Sequence, residues 1–441
     1  MIAPGPRGHA LFGELLPIRR DRLEFVLRMR REFGDFARFR MGFRVAHLVS
    51  HPDAVGHVLQ DNHRNYHKGI GLTQAKRWLG EGLVTSEGEA WARQRRLIQP
   101  AFQRQRLAGF SPVVTAATAA MLDRWRIGSG PPGRSVDVAS QMMRLTLEVI
   151  TRVMFSDSVR NPGEIGDAFT TTLHDAMDRM TALASVPDWL PSPGNLRFRR
   201  ALRTLHGMVD AIIVRHRHHG EQGGLRDDLL SRLSAEGLED RELRDQVLTM
   251  LLVGHETTAS ALAWTFYLLA SHPWAWTGLQ EEVDRVLGGR VPTHDDLPGL
   301  VWTRKVFDES LRLYPPVWLI PRRAIAADEV GGYTIPAGSE VLISPYVLHR
   351  HPDYWERPDE FDPERFAAEP AEKRRRYTYL PFGAGPRACV GSALASMEAL
   401  LILAMVAQRC RLELVPGFEV VPEPLLTLRF RHGLAMTPVR L

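Results

Sequence analysis

Residues 247–270, VLTMLLVGHETTASALAWTFYLLA, are long and apolar enough to require either a bilayer or a large protein core. The centre of the stretch decides between the two. His255, Glu256, Thr257 and Thr258 sit there, and ionisable groups at the middle of a bilayer are costly. The segment is expected to be a buried core helix whose polar interruption has a functional reason. A chain of 441 residues can bury such a helix and still enclose a ligand.

Helical periodicity dominates the rest. It predicts helices over 22–33, 91–106, 136–155, 201–218, 241–271, 276–287, 300–313 and 393–410. Strand signals are fewer: a hairpin over 36–40 and 46–50, a strand at 340–344, and a C-terminal hairpin over 425–436 turning at Gly433. The fold class is therefore mostly α with small β-sheets set to one side, an α+β chain. The loop-like stretches at 128–134, 191–195 and 220–224 are too short to be linkers, so residues 1–441 are expected to form a single domain.

Charge excludes one large class of function. Lys and Arg number 56 against 51 Asp and Glu, a formal +5. No nucleic-acid motif gathers that excess into a stripe. Two clusters, Arg93–Arg96 and 373–376 (KRRR), suit either solvent or an acidic protein partner. The His216-Arg-His-His219 run reads as a basic patch at a loop edge and not as a metal site. Two cysteines, Cys389 and Cys410, make no disulfide framework and suit a reducing cytoplasm. The N-terminal residues show no pattern of a signal peptide or membrane span.

The most specific motif is Phe382-Gly-Ala-Gly-Pro-Arg387-Ala-Cys389-Val-Gly391. Its glycines permit unusual backbone angles and the close approach of a flat ligand. A cysteine there, just ahead of a helix, can present a thiolate that the helix N-terminus favours. Three weaker motifs accompany it. Glu309 and Arg312 lie one helical turn apart and can pair. Trp91 and Arg95 share a helical face and offer an N–H and a fork of donors to a carboxylate. Val253-Gly-His-Glu-Thr-Thr258 combines a glycine with threonines that can bond backbone carbonyls, a recipe for local distortion.

Taken together, these motifs resemble cytochrome P450, in the right order and over essentially the whole chain. The resemblance implies the family's fold, with haem b between the long central helix and the helix after the cysteine loop. It makes Cys389 the axial thiolate ligand of the iron, Phe382 its packing neighbour, and Arg387, Trp91 and Arg95 binders of haem propionates. Arg322 is a weaker propionate candidate, with Arg323 its rival. Glu309, Arg312 and Arg365 (in 361–366, FDPERF) match a structural triad. Glu256 and Thr257 match an acid–alcohol pair that delivers protons for dioxygen activation. Val253 stands where the family commonly has Ala or Gly, which narrows the space beside the haem.

The function so implied is a mono-oxygenase inserting one atom of dioxygen into an organic substrate. The sequence has no dinucleotide-binding Gly-x-Gly-x-x-Gly unit and no cysteine cluster for iron–sulfur. Electrons are expected from a ferredoxin and ferredoxin reductase, to a soluble, cytoplasmic monomer. Rivals are a peroxide-using enzyme, isomerase or dehydratase on the same fold, and a haem sensor; Glu256–Thr257 argues for dioxygen. By resemblance Val84, Val253, Val317, Leu319 and Leu426 line the pocket, all aliphatic. They suit a compact apolar terpenoid or other secondary-metabolite skeleton. A fatty acid is the alternative, with Lys68, Lys76 or Arg77 anchoring its carboxylate.

Overall fold

The apolar stretch forms the centre of one long helix, Asp240–Ser271, with Asp240 and Glu242 in its first turn where the helix dipole favours acids. From Val247 onward nearly every side chain is buried whichever way it points. That explains why the sequence is apolar all round and not merely along one stripe. The helix packs mainly on Val138–Phe155. A Cβ on Gly254 would lie 2.5 Å from Ile150 Cγ1, so glycine is what lets the two backbones close up. The helix is continuous through 253–258. The computed structural model describes every residue except 126, 128–134, 160, 183–185, 222–226 and 441, and the side chains of all of these but 104 and 221. The loop-like stretch at 128–134 and most of the one at 220–224 thus lie outside the described residues.

A second core helix, Ser392–Arg409, follows the cysteine loop and packs on Arg104–Trp125. It is long and apolar enough to cross a membrane, but 67% of it is buried inside the protein, as a core helix should be. The helices read at 22–33, 276–287 and 300–313 are Arg22–Phe33, Pro273–Leu287 and Val301–Leu313.

Several expectations need correction. The helix read over 91–106 breaks into Gly88–Ile98, a tight turn Gln99–Phe102, and Arg104–Trp125. Pro100 lacks the N–H the first helix would need to continue. The helix at 201–218 begins earlier, at Pro193, and runs to Glu221. The 191–195 stretch is therefore partly helical, and the histidine run lies within a helix. His216 Nε2 is 2.9 Å from Ser231 Oγ and 3.4 Å from Asp228 Oδ1, a packing role between helices. Helices Ile70–Leu79 and Pro162–Thr181 were not anticipated.

The main sheet has five strands in the order Phe36–Met41, Arg44–Val49, Glu340–Ile343, Ile320–Ala324 and Tyr66–Lys68. Its first two form the expected hairpin. Its last pairing sets Lys68 opposite Arg322. Strand alternation then buries Arg322 and exposes Arg323. The C-terminal hairpin is differently wired. Leu428–Phe430 pairs with Pro422–Pro424, whereas Ala435–Arg440 leaves the Gly433 turn to pair with Cys410–Leu414. The turn exists, with Gly433 at φ 75°, but it hands the chain from one sheet to another.

Candidate active site

Within 382–391 the backbone turns twice through conformations that only glycine adopts easily: Gly383 has φ 69° and Gly385 φ 70°. A Cβ on Gly385 would lie 1.9 Å from the Leu59 carbonyl oxygen, so the loop rests directly on the wide turn His57–Asp61. The Cys389 N–H donates to the Phe382 carbonyl at 2.9 Å, closing the loop into a compact arch. Its thiol is exposed, yet enough protein surrounds it that burial pushes its pKa up. The space it faces is a cleft inside the protein. Cys410, by contrast, is fully buried, and burial pushes its thiol up to about 12.

The central helix supplies another wall. In its otherwise buried middle, Val253, Gly254 and Thr257 alone between residues 247 and 266 are partly open. Spaced at i, i+1 and i+4, they share one face. Thr257 Oγ1 donates to the Val253 carbonyl at 2.8 Å. Glu256 points elsewhere. Its Oε1 accepts from Thr427 Oγ1 at 2.7 Å and pairs with Arg429 Nε at 3.1 Å, and its buried Oε2 has no protein partner. Among the described residues no hydrogen bond joins Glu256 to Thr257, so the expected pair is adjacent in sequence but divergent in space. Arg429 also donates to Thr170 Oγ1 at 2.9 Å, joining three segments around one carboxylate.

Beside the cysteine loop, Lys68, Arg322 and Arg387 converge on one acid, Glu87. Arg387 pairs with Glu87 Oε2 and stacks 4.8 Å from the Trp91 ring centre. Arg387 Nη1 is buried without a partner. Lys68 Nζ donates to the Leu83 and Ser86 carbonyls at 3.0 and 2.6 Å. Burial, then repulsion by Arg387 and Arg322, brings Lys68 down to about 7. Burial and the same repulsion from Arg387 bring Arg322 down to about 10. Three cations sharing one carboxylate, with an N–H to spare, form a site short of negative charge. The sequence reading missed Glu87; its one signal was its position just ahead of the Trp91 helix. Arg95, expected in this group, turns instead to donate to the Ala388 carbonyl at 2.6 Å, beside the thiol.

Glu309, Arg312 and Arg365 meet in one buried cluster. Arg312 clasps Glu309 through Nε at 2.7 Å and Nη2 at 2.8 Å, both side chains wholly buried. Arg365 Nε stands 3.5 Å from Glu309 Oε1. Arg312 also donates to the carbonyls of His349, Pro358 and Glu360, at 2.8, 2.5 and 2.9 Å. Only bidentate guanidinium geometry reaches so many acceptors at once. Of the five aliphatic pocket candidates, Val253, Leu319 and Leu426 border the main apolar core. Val84 is half-buried outside that core and Val317 is exposed.

A thiol arch, a long helix opened on one face and a cation-rich rim define a haem-thiolate protein. The chain belongs to the cytochrome P450 family, whose model matches residues 3–439. It is 39% identical over 97% of its length to "Cyclooctatin synthase" of Streptomyces melanosporofaciens, covering 93% of that protein. It is 40% identical over 93% of its length to "Cyclooctat-9-en-7-ol 5-monooxygenase" of the same organism, covering 90% of it. It is 35% identical over 90% of its length to "Pentalenene oxygenase" of Streptomyces avermitilis, covering 88% of it. The chain is an oxidoreductase of the mono-oxygenase type whose cofactor is haem b, and such enzymes draw on dioxygen and on redox partners. The site fits that cofactor: an open thiol, a partly open helix face, and a cationic rim in which the buried Arg387 Nη1 has no partner.

Proposed function

We propose that this mono-oxygenase hydroxylates terpenoid skeletons in the cytoplasm as a monomer, residues 1–441 acting as one domain, with electrons from a ferredoxin and its reductase. The observation that carries the substrate class is the character of the wall beside the open helix face. Val253, Leu319 and Leu426 are aliphatic, and a Cβ on Gly71 would lie 3.4 Å from Leu426 Cδ2 and 3.5 Å from Met180 Sδ, bringing further apolar atoms together. The candidate anchors for a fatty-acid carboxylate are engaged. Lys76 pairs with Glu81 at 2.5 Å, Arg77 pairs with Asp175 at 3.5 Å and with Asp188, and Lys68 is held by two carbonyls. A polar acid would strip one of these pairs or go unpaired, and both cost free energy. The relatives above, which act on terpenoids, support the same class.

The residues divide the work as follows. Haem b, when bound, supplies the activation of dioxygen and the transfer of its oxygen atom. Cys389 would ligate its iron, Phe382 would pack by the sulfur, and Arg387, Arg322 and Trp91 would hold its propionates. Arg95 fixes the Ala388 carbonyl next to the thiolate. Glu256, through its unpartnered Oε2 behind the central helix, and Thr257, through Oγ1 on the open face, would each serve proton delivery. Glu309, Arg312 and Arg365 keep the approach to the cysteine loop rigid. The test compares spectral binding of a cyclic terpene with a long-chain fatty acid and its methyl ester. The terpene should bind tightly; tight binding of the acid, lost on esterification, overturns the reading. Turnover with a surrogate reductase should exceed turnover with peroxide.

A further inference from the structure

The chain's positive excess sits on one helix. Pro193–Glu221 holds six arginines against Asp210 and Glu221, a formal +4 in a chain whose total is +5. The rest of the protein is therefore close to neutral. One face of this helix is spent on folding: Phe198, Ala201, Leu205, Val209 and Ile212 recur at helical spacing and are buried. The helix packs on Pro162–Thr181 and Asp240–Ser271. The opposite face is bare along its length. Leu196, Arg200, Arg203, Gly207, Val214 and His218 fall on one stripe, and all six are exposed. The stripe runs about 33 Å at 1.5 Å per residue. It holds no acid, whereas a solvated helix face ordinarily mixes both signs.

The charges along this stripe are not all spent within the protein. Arg215 and Arg217 pair with Asp157 and Asp240, and Arg199 donates to the Asp188 carbonyl. Asp210, beside the stripe, is taken by Arg244 at 2.7 Å. Arg197, Arg200 and Arg203 are exposed, and among the described residues no carboxylate pairs with them. Gly207 sits mid-stripe, where a Cβ would meet nothing within 4 Å. A glycine inside a helix costs about 1 kcal/mol, and no neighbour within the protein needs the space it leaves. Geometry and charge then choose the occupant. A nucleic-acid duplex would set roughly twenty phosphate charges along a ridge of this length. The free cations, however, cluster in its first third, and Gly207, Ala211 and Val214 follow. A second copy of the chain would bring one cationic helix against another, and like charges across an interface are costly. A ridge about 33 Å by 10 Å offers roughly 300 Å², well under the ~800 Å² per partner of a stable complex. That area suits a weak, transient protein contact steered by charge.

We propose that the stripe from Leu196 to His218 docks an acidic face of a second protein, a partner distinct from the electron donor. Arg197, Arg200 and Arg203 meet its carboxylates, and Gly207 lets its surface come close to the helix backbone. The stripe shares no residue with the basic clusters at 93–96 and 373–376 or with the cleft, so the inference stands apart from the substrate assignment. The experiment is fluorescence anisotropy of labelled polyglutamate, an acidic polypeptide, titrated with the haem-loaded protein. Wild type should bind at low ionic strength and let go as salt is added. R197E/R200E/R203E should weaken binding about ten-fold or more, whereas R96E/R376E, which reverses charge elsewhere, should leave it within about two-fold. The altered side chains are exposed, and an unchanged carbon monoxide spectrum shows that each variant folds and holds haem. Absence of binding, equal binding by wild type and the helix variant, or an equal loss in R96E/R376E would each overturn the proposal. So would tighter binding, through the same arginines, of polyuridylate or of phosphatidylglycerol vesicles than of polyglutamate.

Discussion

The ring of His349 accepts the backbone N–H of Leu380 at 2.8 Å, on the segment that runs into Cys389. The other ring nitrogen lies 3.2 Å from the Arg312 carbonyl, so the neutral tautomer with the proton on Nδ1 satisfies both neighbours. The His349 carbonyl meanwhile accepts from Arg312 Nη1. One histidine thus couples the Glu309–Arg312 clasp to the cysteine loop.

That coupling makes stability depend on pH. Burial, then the nearby Arg312 charge, pushes His349 from 6.5 down to about 3. The folded protein keeps the ring neutral while the unfolded chain protonates it. The contribution is therefore complete above about pH 6.5 and is lost as pH falls toward 3. His349→Gln keeps an acceptor but does not titrate. Between pH 7.5 and 5 wild type should lose about 2 kcal/mol more than the variant, followed by urea unfolding. Parallel pH profiles would rule this out.

Glu309→Gln leaves Arg312 and Arg365 charged, with their shared carboxylate gone. The expected loss is about 3–5 kcal/mol of stability, seen as a lowered urea midpoint and weaker haem retention. A change under 1 kcal/mol would show that the carbonyls alone hold Arg312.

Cys389→Ser should abolish the red-shifted Soret band that a thiolate complex gives with carbon monoxide, whereas Cys410→Ser should keep it. A band surviving in the first variant would falsify the ligand assignment.

Protons are the next test. Thr257→Ala should bind haem and substrate yet consume reductant with less product, while Glu256→Gln should slow turnover about 100-fold. Arg429→Leu should mimic Glu256→Gln, and the double variant should be no slower than either, because both break one unit. Additive effects would separate Arg429 from the relay.

The structure redirects the expectation for the electron donor. Of the two basic clusters, Arg93 pairs with Glu242, Lys373 with Glu369 and Arg375 with Asp53, while Arg374 packs against Trp355, Phe366 and Tyr379. Arg96 and Arg376 remain exposed without a carboxylate among the described residues. Charge reversal at these two should slow reduction by an acidic ferredoxin and flatten its dependence on salt. Unchanged rates would remove this face as the docking site.

The parts of the site legible in the sequence were those whose chemistry is local. Cys389 and its glycines, or Glu309 and Arg312, are close enough along the chain for spacing to fix their geometry. Glu87, Thr427 and Arg429 were not visible, because their partners Arg387 and Glu256 lie 300 residues away for the first and 171 for Thr427. The helix Pro162–Thr181 was obscured by three successive threonines, poor helix formers that its buried face overrides. The C-terminal hairpin failed because a turn specifies a reversal and not which sheet receives the strand.

The staple at Thr427 and Arg429 also sets an order of events. Trp264 and Trp318 donate to the carbonyls of Leu428 and Leu425, so residues 425–429 fasten three points of the interior together. A ribosome releases Glu256 long before it makes these fasteners. During that interval the acid has neither its hydroxyl nor its cation. The centre is thus closed by one of the later acts of synthesis.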